Sequence, residues 1–198
     1  MNEKKVLKSG IALCLLMLIA HSGRSQITIS LEGASTFDLN NDFDYLNTEL
    51  RLYSWISLNQ HIDLEIIALT VDNAIGQILV GPGVPLFGNL RFTGQVGIAT
   101  NAKNPLRMAG SLSYVVPDFV GVMLYEWGPE TSYFYKYLFI YTLDKWDLGI
   151  RGQRFRNNGI FFGYKLNEHL QAYLHPGYDF EFDRATAAFG LIGTFTGK

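Results

Sequence analysis

Few residues in this sequence could do acid–base chemistry once the N-terminal segment is set aside. After residue 25 the chain has three histidines, His61, His169 and His175, and no cysteine. His61 and His169 fall in predicted turns, where a solvated histidine is the ordinary outcome. His175 falls on the polar face of a predicted strand, near Asp179 and Glu181. A base oriented by a carboxylate is part of a catalytic triad, but no serine stands at a matching position nearby, so His175 is only a weak catalytic candidate.

The sequence predicts no metal site and no cofactor. Three scattered histidines without a cysteine have no recognisable ligand spacing. The acidic residues Asp38, Asp42 and Asp44 lack the glycine and the distal glutamate of a calcium loop, so they indicate a solvated turn. The Gly-Pro-Gly segment at 81–83 is not followed by the Lys-Ser or Lys-Thr pair of a phosphate-binding loop, and it indicates a turn.

The N-terminal segment has the pattern of an export signal. Lysines precede an apolar run over 11–20, and small and polar residues follow it. This run is about half the length of a membrane-spanning helix. Cys14 lies inside the run behind Leu13, which is not the small residue that lipid attachment requires. We therefore predict a signal peptide over 1–25 and a single exported domain over 26–198.

Charge argues against a nucleic-acid partner. The whole chain has 16 basic and 18 acidic residues. Without the first 25 residues, which contain four of the basic and one of the acidic residues, 12 basic and 17 acidic residues are left, so the predicted domain is acidic and has no basic stripe.

The predicted domain alternates between apolar and polar residues, which is the period of a β-strand. In 48–58, Leu50 and Leu52 face one side while Glu49 and Arg51 face the other. The same alternation recurs in 89–101, 106–115, 146–151, 160–166 and 170–182. Turn residues divide the chain into twelve predicted strands. Ten is the alternative, because the segment before the predicted turn at 81–85 is short and could be a loop, and outer-membrane barrels usually have an even number of strands.

This pattern predicts an all-β fold, an antiparallel up-and-down transmembrane β-barrel. Aromatic rings suit the boundary between membrane and water, and five of them fall on one face of a single predicted strand: Tyr133, Tyr135, Tyr137, Phe139 and Tyr141. The predicted turns are too short to form a lid over a sheet. A soluble periplasmic lipocalin-like barrel is the alternative, because periodicity does not reveal which face is inside.

The export signal and the alternating strands together resemble those of the small outer-membrane β-barrel proteins of Gram-negative bacteria, a likeness of pattern over 26–198. The resemblance implies location in the outer membrane and contact with its lipid. The lipid-modifying acylhydrolases of that membrane use a His–Ser pair. A membrane-embedded lipid-modifying enzyme using His175 is therefore an alternative function.

Charged residues of both signs on the polar face are the main candidate site. Eleven of them are predicted to line the lumen: Glu49, Arg51, Asp63, Glu65, Arg91, Arg107, Asp147, Arg151, Lys165, Asp179 and Glu181. They predict either a salt-bridged filling of the barrel or a pore lining that selects small polar or charged solutes. A barrel of about 10–12 strands lies between the filled and the open kinds. The functional hypothesis is a narrow passive channel or a structural barrel, rather than an enzyme.

Overall fold

The computed structural model describes residues 26–59, 61–72, 75–100, 103–128, 133–154 and 156–197. The predicted signal peptide lies outside these residues. Within them no helix is long and apolar enough to cross a membrane.

Twelve strands make up most of this described part of the chain. Their bounds are β1 Ile27–Asp38, β2 Asp44–Ser57, β3 Asp63–Val71, β4 Ile75–Phe87, β5 Leu90–Ala99, β6 Leu106–Val116, β7 Phe119–Trp127, β8 Phe134–Leu143, β9 Trp146–Gln153, β10 Asn158–Lys165, β11 Leu170–Asp179 and β12 Arg184–Gly197.

The strands form one closed antiparallel barrel. Each strand pairs with its neighbours in the sequence, and β1 closes the ring against β12, from Ile27 opposite Gly197 to Asp38 opposite Thr186. A closed ring leaves no edge strand with unpaired backbone groups, which is what a membrane requires of a sheet. The prediction of an all-β, up-and-down barrel is confirmed, with twelve strands rather than ten.

The even strand number places the start of β1 and the end of β12 at the same end of the barrel, here called the terminal rim. The connections at this rim span 58–62, 88–89, 117–118, 144–145 and 166–169. The opposite end, the loop rim, has connections of only three to six residues. Gly88 has a φ of 53° in the turn between β4 and β5, a left-handed conformation that glycine adopts without strain. Asp144 and Asp183 adopt it in two further turns.

The predicted turn at 81–85 is wrong, because these residues lie inside β4, which is one of the longer strands. Pairing with β3 runs unbroken through Pro82, whereas the β4–β5 register has a gap between Val80 and Gly83. Proline lacks a donor for the ladder, and here it stands where the ladder to one neighbour is already interrupted. The β10–β11 register is interrupted in the same way beside Pro176. The turn that the sequence suggested at 81–85 is at 88–89 instead.

The apolar face of the sheet points outward and the polar face points inward. Outward side chains along β7 and β9 are large and exposed, including Met123, Tyr125, Trp146 and Ile150. Many of the charged side chains on the other face are almost fully buried, among them Glu32, Arg51 and Arg151. An apolar exterior around a polar interior is the arrangement of a barrel that spans a membrane. It is the reverse of a lipocalin, which excludes that alternative.

Among the described residues, the buried apolar side chains are few and are divided between the two faces of the sheet. Phe161 and Leu79 are buried apolar side chains on the inner face. Ile56 and Ile66 are buried on the outer face, where they pack against neighbouring isoleucine and leucine side chains of β1, β3 and β4. The interior is therefore held by polar contacts, and these contacts form the candidate site.

We expect Leu112→Arg to block assembly of the barrel. Leu112 points outward in the middle of β6, with 41% of its surface exposed, between Phe92 of β5 and Met123 of β7. An arginine on the lipid face near the midplane costs about 2–4 kcal/mol. The folded fraction in lipid vesicles can be measured from the change in gel mobility on boiling, with Leu112→Ala as the control. Equal folded fractions for the two variants would contradict the assigned faces.

Candidate functional site

A buried ion-pair cluster occupies the middle of the barrel. Glu32 of β1 accepts a hydrogen bond of 2.5 Å from Nη2 of Arg151 in β9 and one of 2.6 Å from the Tyr173 hydroxyl in β11. Nη1 of Arg51, in β2, lies 3.7 Å from the other carboxylate oxygen of Glu32. Gly190 makes room for this arrangement, because a Cβ there would lie 2.5 Å from the Tyr173 ring. The Glu32 carboxylate thus holds two guanidinium groups, one from the neighbouring strand β2 and one from the distant strand β9.

Two contacts cross the bore and are here called the crossbar. Lys136 of β8 donates a hydrogen bond to the hydroxyl of Tyr53 in β2, and its Nζ lies 4.7 Å from the centroid of that ring. Arg51 Nη2 donates to Oε1 of Gln153 in β9 at 2.5 Å. Because β2 and β8 are six strands apart in a ring of twelve, these bonds join opposite walls. The crossbar closes the centre of the bore with side chains alone.

Further charged pairs continue from the crossbar towards the loop rim. Glu49 accepts hydrogen bonds from Arg51 and pairs with Arg156, whose Nη2 lies 2.8 Å from its Oε1. Nearer the rim, Arg184 lies 3.5 Å from Asp179 and 4.0 Å from Asp38. These three carboxylates, those of Asp38, Glu49 and Asp179, therefore each face a guanidinium.

The terminal-rim half of the lumen holds charged pairs as well. Asp147 accepts a 2.6 Å hydrogen bond from Gln171 and lies 3.7 Å from the ammonium group of Lys165. On the other side of the barrel Arg91 forms an ion pair with Asp63. Both pairs are more exposed than the central cluster. Charged groups are thus present inside the barrel from one rim to the other.

The wall formed by β4–β7 carries a second set of polar groups. Glu126 accepts a 2.7 Å hydrogen bond from Gln77 and lies 3.6 Å from Nε of Arg107. Gln95 is 3% exposed, and neither its amide nitrogen nor its oxygen hydrogen-bonds to another described residue. Glu65 is buried further towards the terminal rim. This wall is polar but less completely paired than the central cluster.

Ten of the eleven charged residues predicted for the lumen lie in strands, on the inner face. The exception is Glu181, which lies in the turn between β11 and β12, where its Oε1 accepts a 2.7 Å hydrogen bond from Nε of Arg154. The lumen position predicted for Glu181 is therefore corrected, because β11 ends at Asp179 and the alternation does not continue into the turn. The solvated turn predicted for Asp38 is also wrong, because Asp38 lies at the end of β1 and is only 4% exposed.

Sequence reasoning missed five charged residues of the interior. Glu32 and Lys136 belong to the central cluster and the crossbar, and the others are Glu126, Arg156 and Arg184. The alternation itself contained a signal for two of them. Glu32 lies on the same face of β1 as the small residues Ser30 and Ala34, two positions from each. Lys136 is a charged residue on the face of β8 opposite to the aromatic run.

The structure places His175 inside the wall of the barrel, away from the lipid-facing surface. Its ring is 3% exposed on the inner face of β11, and Nε2 makes a 3.0 Å hydrogen bond with the backbone carbonyl of Arg151. The ring lies beside Phe161, with 6.5 Å between ring centroids. No serine hydroxyl is among the hydrogen-bond partners of His175 in the described residues. A lipid substrate on the outer face would not reach this imidazole.

No group of three or more possible metal ligands occurs among the residues that the structure describes. At the loop rim, Asp72 accepts hydrogen bonds from the Tyr45 hydroxyl at 2.6 Å and the Thr48 backbone N–H at 2.7 Å. These bonds favour the carboxylate and lower the pKa of Asp72. The contact therefore ties the β3–β4 turn to β2 as long as Asp72 is ionised.

Comparison with solved structures places this fold among outer-membrane barrels. The KdgM porin superposes with a TM-score of 0.58 at 11% identity, over 84% of this chain and 99% of that one. Outer membrane phospholipase A from Escherichia coli superposes with a TM-score of 0.50 at 13% identity, over 84% of this chain and 89% of that one. No protein-family model matches the sequence, and no curated protein is significantly similar to it.

The likeness is one of fold. A porin and a phospholipase share this architecture, so the barrel by itself does not distinguish a channel from an enzyme. The residues inside the barrel have to carry the functional argument.

Proposed function

We propose that the protein is a narrow passive channel of the outer membrane for small polar or charged solutes. We also propose that residues 1–25 are a signal peptide that directs export and is then cleaved. The observation that carries the proposal is the run of charged side chains through the lumen. It extends from Asp147 and Lys165 near the terminal rim, through Glu32 and its arginines, to Arg184 near the loop rim. Charged groups that line a bore replace part of the hydration shell of a passing ion.

The nature of the closure supports a channel over a purely structural barrel. In the described residues, the groups that close the centre are side chains of β1, β2, β8 and β9, and not an inserted loop or helix. Arg51 is buried and both Arg51 and Lys136 are hydrogen-bonded, so they move less freely than exposed side chains, but their displacement requires no motion of a backbone segment. Brief rearrangement of Lys136 and Arg51 would open a path without unfolding the barrel. A structural barrel with a permanently closed bore is the second candidate, and the crossbar is the observation that favours it.

We expect the purified protein to show small conductance steps in planar bilayers. Replacing Arg107 and Arg151 by alanine leaves Glu126 and Glu32 without these cationic partners, so the variant should prefer cations more strongly than the original protein. The reversal potential under a potassium chloride gradient measures this preference. Arg154→Ala is the matched control, because Arg154 pairs with Glu181 in the turns of the loop rim and not in the bore.

Correctly folded protein that stays silent, in both the original and the double variant, would overturn the channel and leave the structural barrel. An unchanged reversal potential in a conducting double variant would show that ions do not pass these arginines.

A further inference from the structure

A small cavity lies between the crossbar and the loop rim. Its wall includes Arg51, Arg151, Arg156, Glu49, Asn157 and His175. Arg156 and Asn157 belong to the connection between β9 and β10, so they place the cavity on the loop-rim side of the central cluster. The proposed conduction path does not depend on this cavity.

The wall has an excess of positive charge. Three guanidinium groups line the cavity, those of Arg51, Arg151 and Arg156, and Glu49 is the one carboxylate among the lining residues. Glu32, behind Arg51 and Arg151, supplies a second carboxylate. Asp38 and Asp179 share Arg184 nearer the rim, so the charges of this half balance as a whole. The groups that face the cavity itself are nevertheless mostly cationic, which favours an anion over a cation there.

Two guanidinium nitrogens in this wall lack a hydrogen bond. Nη1 of Arg51 and Nη1 of Arg156 are both buried, and neither hydrogen-bonds to any residue in the described part of the chain. The Arg51 side chain is only 5% exposed, and its Nη1 lies 3.7 Å from the carboxylate of Glu32, beyond hydrogen-bonding distance. A buried donor without an acceptor costs free energy, and an anion accepts from such donors more strongly than water does. Both residues also hold Glu49 through their other nitrogens, which fixes their positions.

The size of the cavity restricts the anion. Its free volume is about 10 Å³, on the scale on which a single water molecule needs roughly 10–15 Å³. The cavity is not fully enclosed, so it can accept a single-atom anion somewhat larger than water, whereas an organic acid or a phosphate is several times larger than water. We propose that this cavity is a binding site for one small monovalent anion of the size of chloride, held by the free N–H groups of Arg51 and Arg156.

The proposal deepens the channel function, because an anion held here lies beside the crossbar on the proposed path. Binding is nevertheless measurable without conduction. A protein that binds chloride but stays silent in bilayers would retain this site and lose the channel, whereas a conducting protein without chloride binding would do the opposite.

The direct experiment replaces chloride by bromide in crystals of the detergent-solubilised protein. An anomalous difference peak should appear within hydrogen-bonding reach of Arg51 and Arg156. In solution, the line width of the chloride NMR signal should increase with protein concentration. Arg156→Gln should weaken the chloride affinity roughly ten- to hundredfold, the equivalent of one charge-assisted hydrogen bond. Arg154→Gln is the matched control, since it removes a neighbouring arginine that pairs with Glu181 outside the cavity.

Two outcomes would overturn the site. Density in the cavity without bromide anomalous signal would mean an ordered water only. Chloride binding that Arg156→Gln leaves unchanged would place the anion elsewhere on the protein. Folding of the Arg156→Gln variant is checked by its gel mobility before and after boiling, so loss of binding can be separated from loss of the barrel.

Discussion

Glu32→Gln is expected to lower the free energy of unfolding by about 3–5 kcal/mol, the usual cost of breaking a buried ion pair by removing one partner. Glu32 is 6% exposed and faces Arg51 and Arg151 from two other strands. Glutamine has nearly the same shape and can still accept a hydrogen bond from Tyr173. The change therefore removes the negative charge and leaves the buried guanidinium groups of Arg51 and Arg151 without the carboxylate that they share.

Urea-induced unfolding in lipid vesicles, followed by tryptophan fluorescence, measures the change. Glu181→Gln is the control, because Glu181 also pairs with an arginine but does so in the β11–β12 turn, where its side chain is 37% exposed. An exposed pair contributes about 0–1 kcal/mol. If Glu32→Gln cost no more than Glu181→Gln, the central cluster would not be what stabilises the interior.

The strands and their faces were predictable because their signals are local. Alternation with period two assigns Leu50 and Arg51 to opposite faces from their own neighbours alone. Most turns were equally visible, since Asp, Asn and Gly tolerate the left-handed backbone that Asp144 and Gly88 adopt. Closure of the sheet into a ring then follows from the need to pair every edge in a membrane.

The error at β4 has a non-local cause. Pro82 between two glycines has the composition of a turn, but its effect depends on the strand alongside it. The β5 ladder is interrupted at that position, so Pro82 does not remove a bond that β5 would otherwise make. Nothing in residues 81–83 themselves records this interruption.

The contacts of the candidate site could not be predicted for the same reason. Lys136 and Tyr53 are 83 residues apart, and Arg151 and Glu32 are 119 apart. Periodicity states that each side chain points inward, but not its height in the barrel or the residue it meets across the bore. Both depend on the stagger of the strands, which is set by pairings around the whole ring.

The Lys136–Tyr53 contact of the crossbar is the one whose removal should change conductance most. In the double variant Tyr53→Ala/Lys136→Ala, both partners of the hydrogen bond between β2 and β8 are lost together, so neither is left buried without its partner. Loss of Lys136 also removes one cation from a centre that already contains Arg51 and Arg151, so we expect the barrel to fold. Two large side chains that meet across the bore are removed, and the single-channel conductance should rise severalfold over the original protein.

Conductance steps in planar bilayers measure this effect, and Phe139→Ala is the matched control. Phe139 lies on β8 three residues from Lys136 but on its lipid-facing side, beside Gly121 of β7. Its truncation removes a large ring from the same strand without touching the lumen. A double variant that folds and conducts no better than Phe139→Ala would show that the crossbar does not limit the passage of ions. The constriction would then be sought at the Glu126 and Arg107 pair on the opposite wall, where the lumen is also buried.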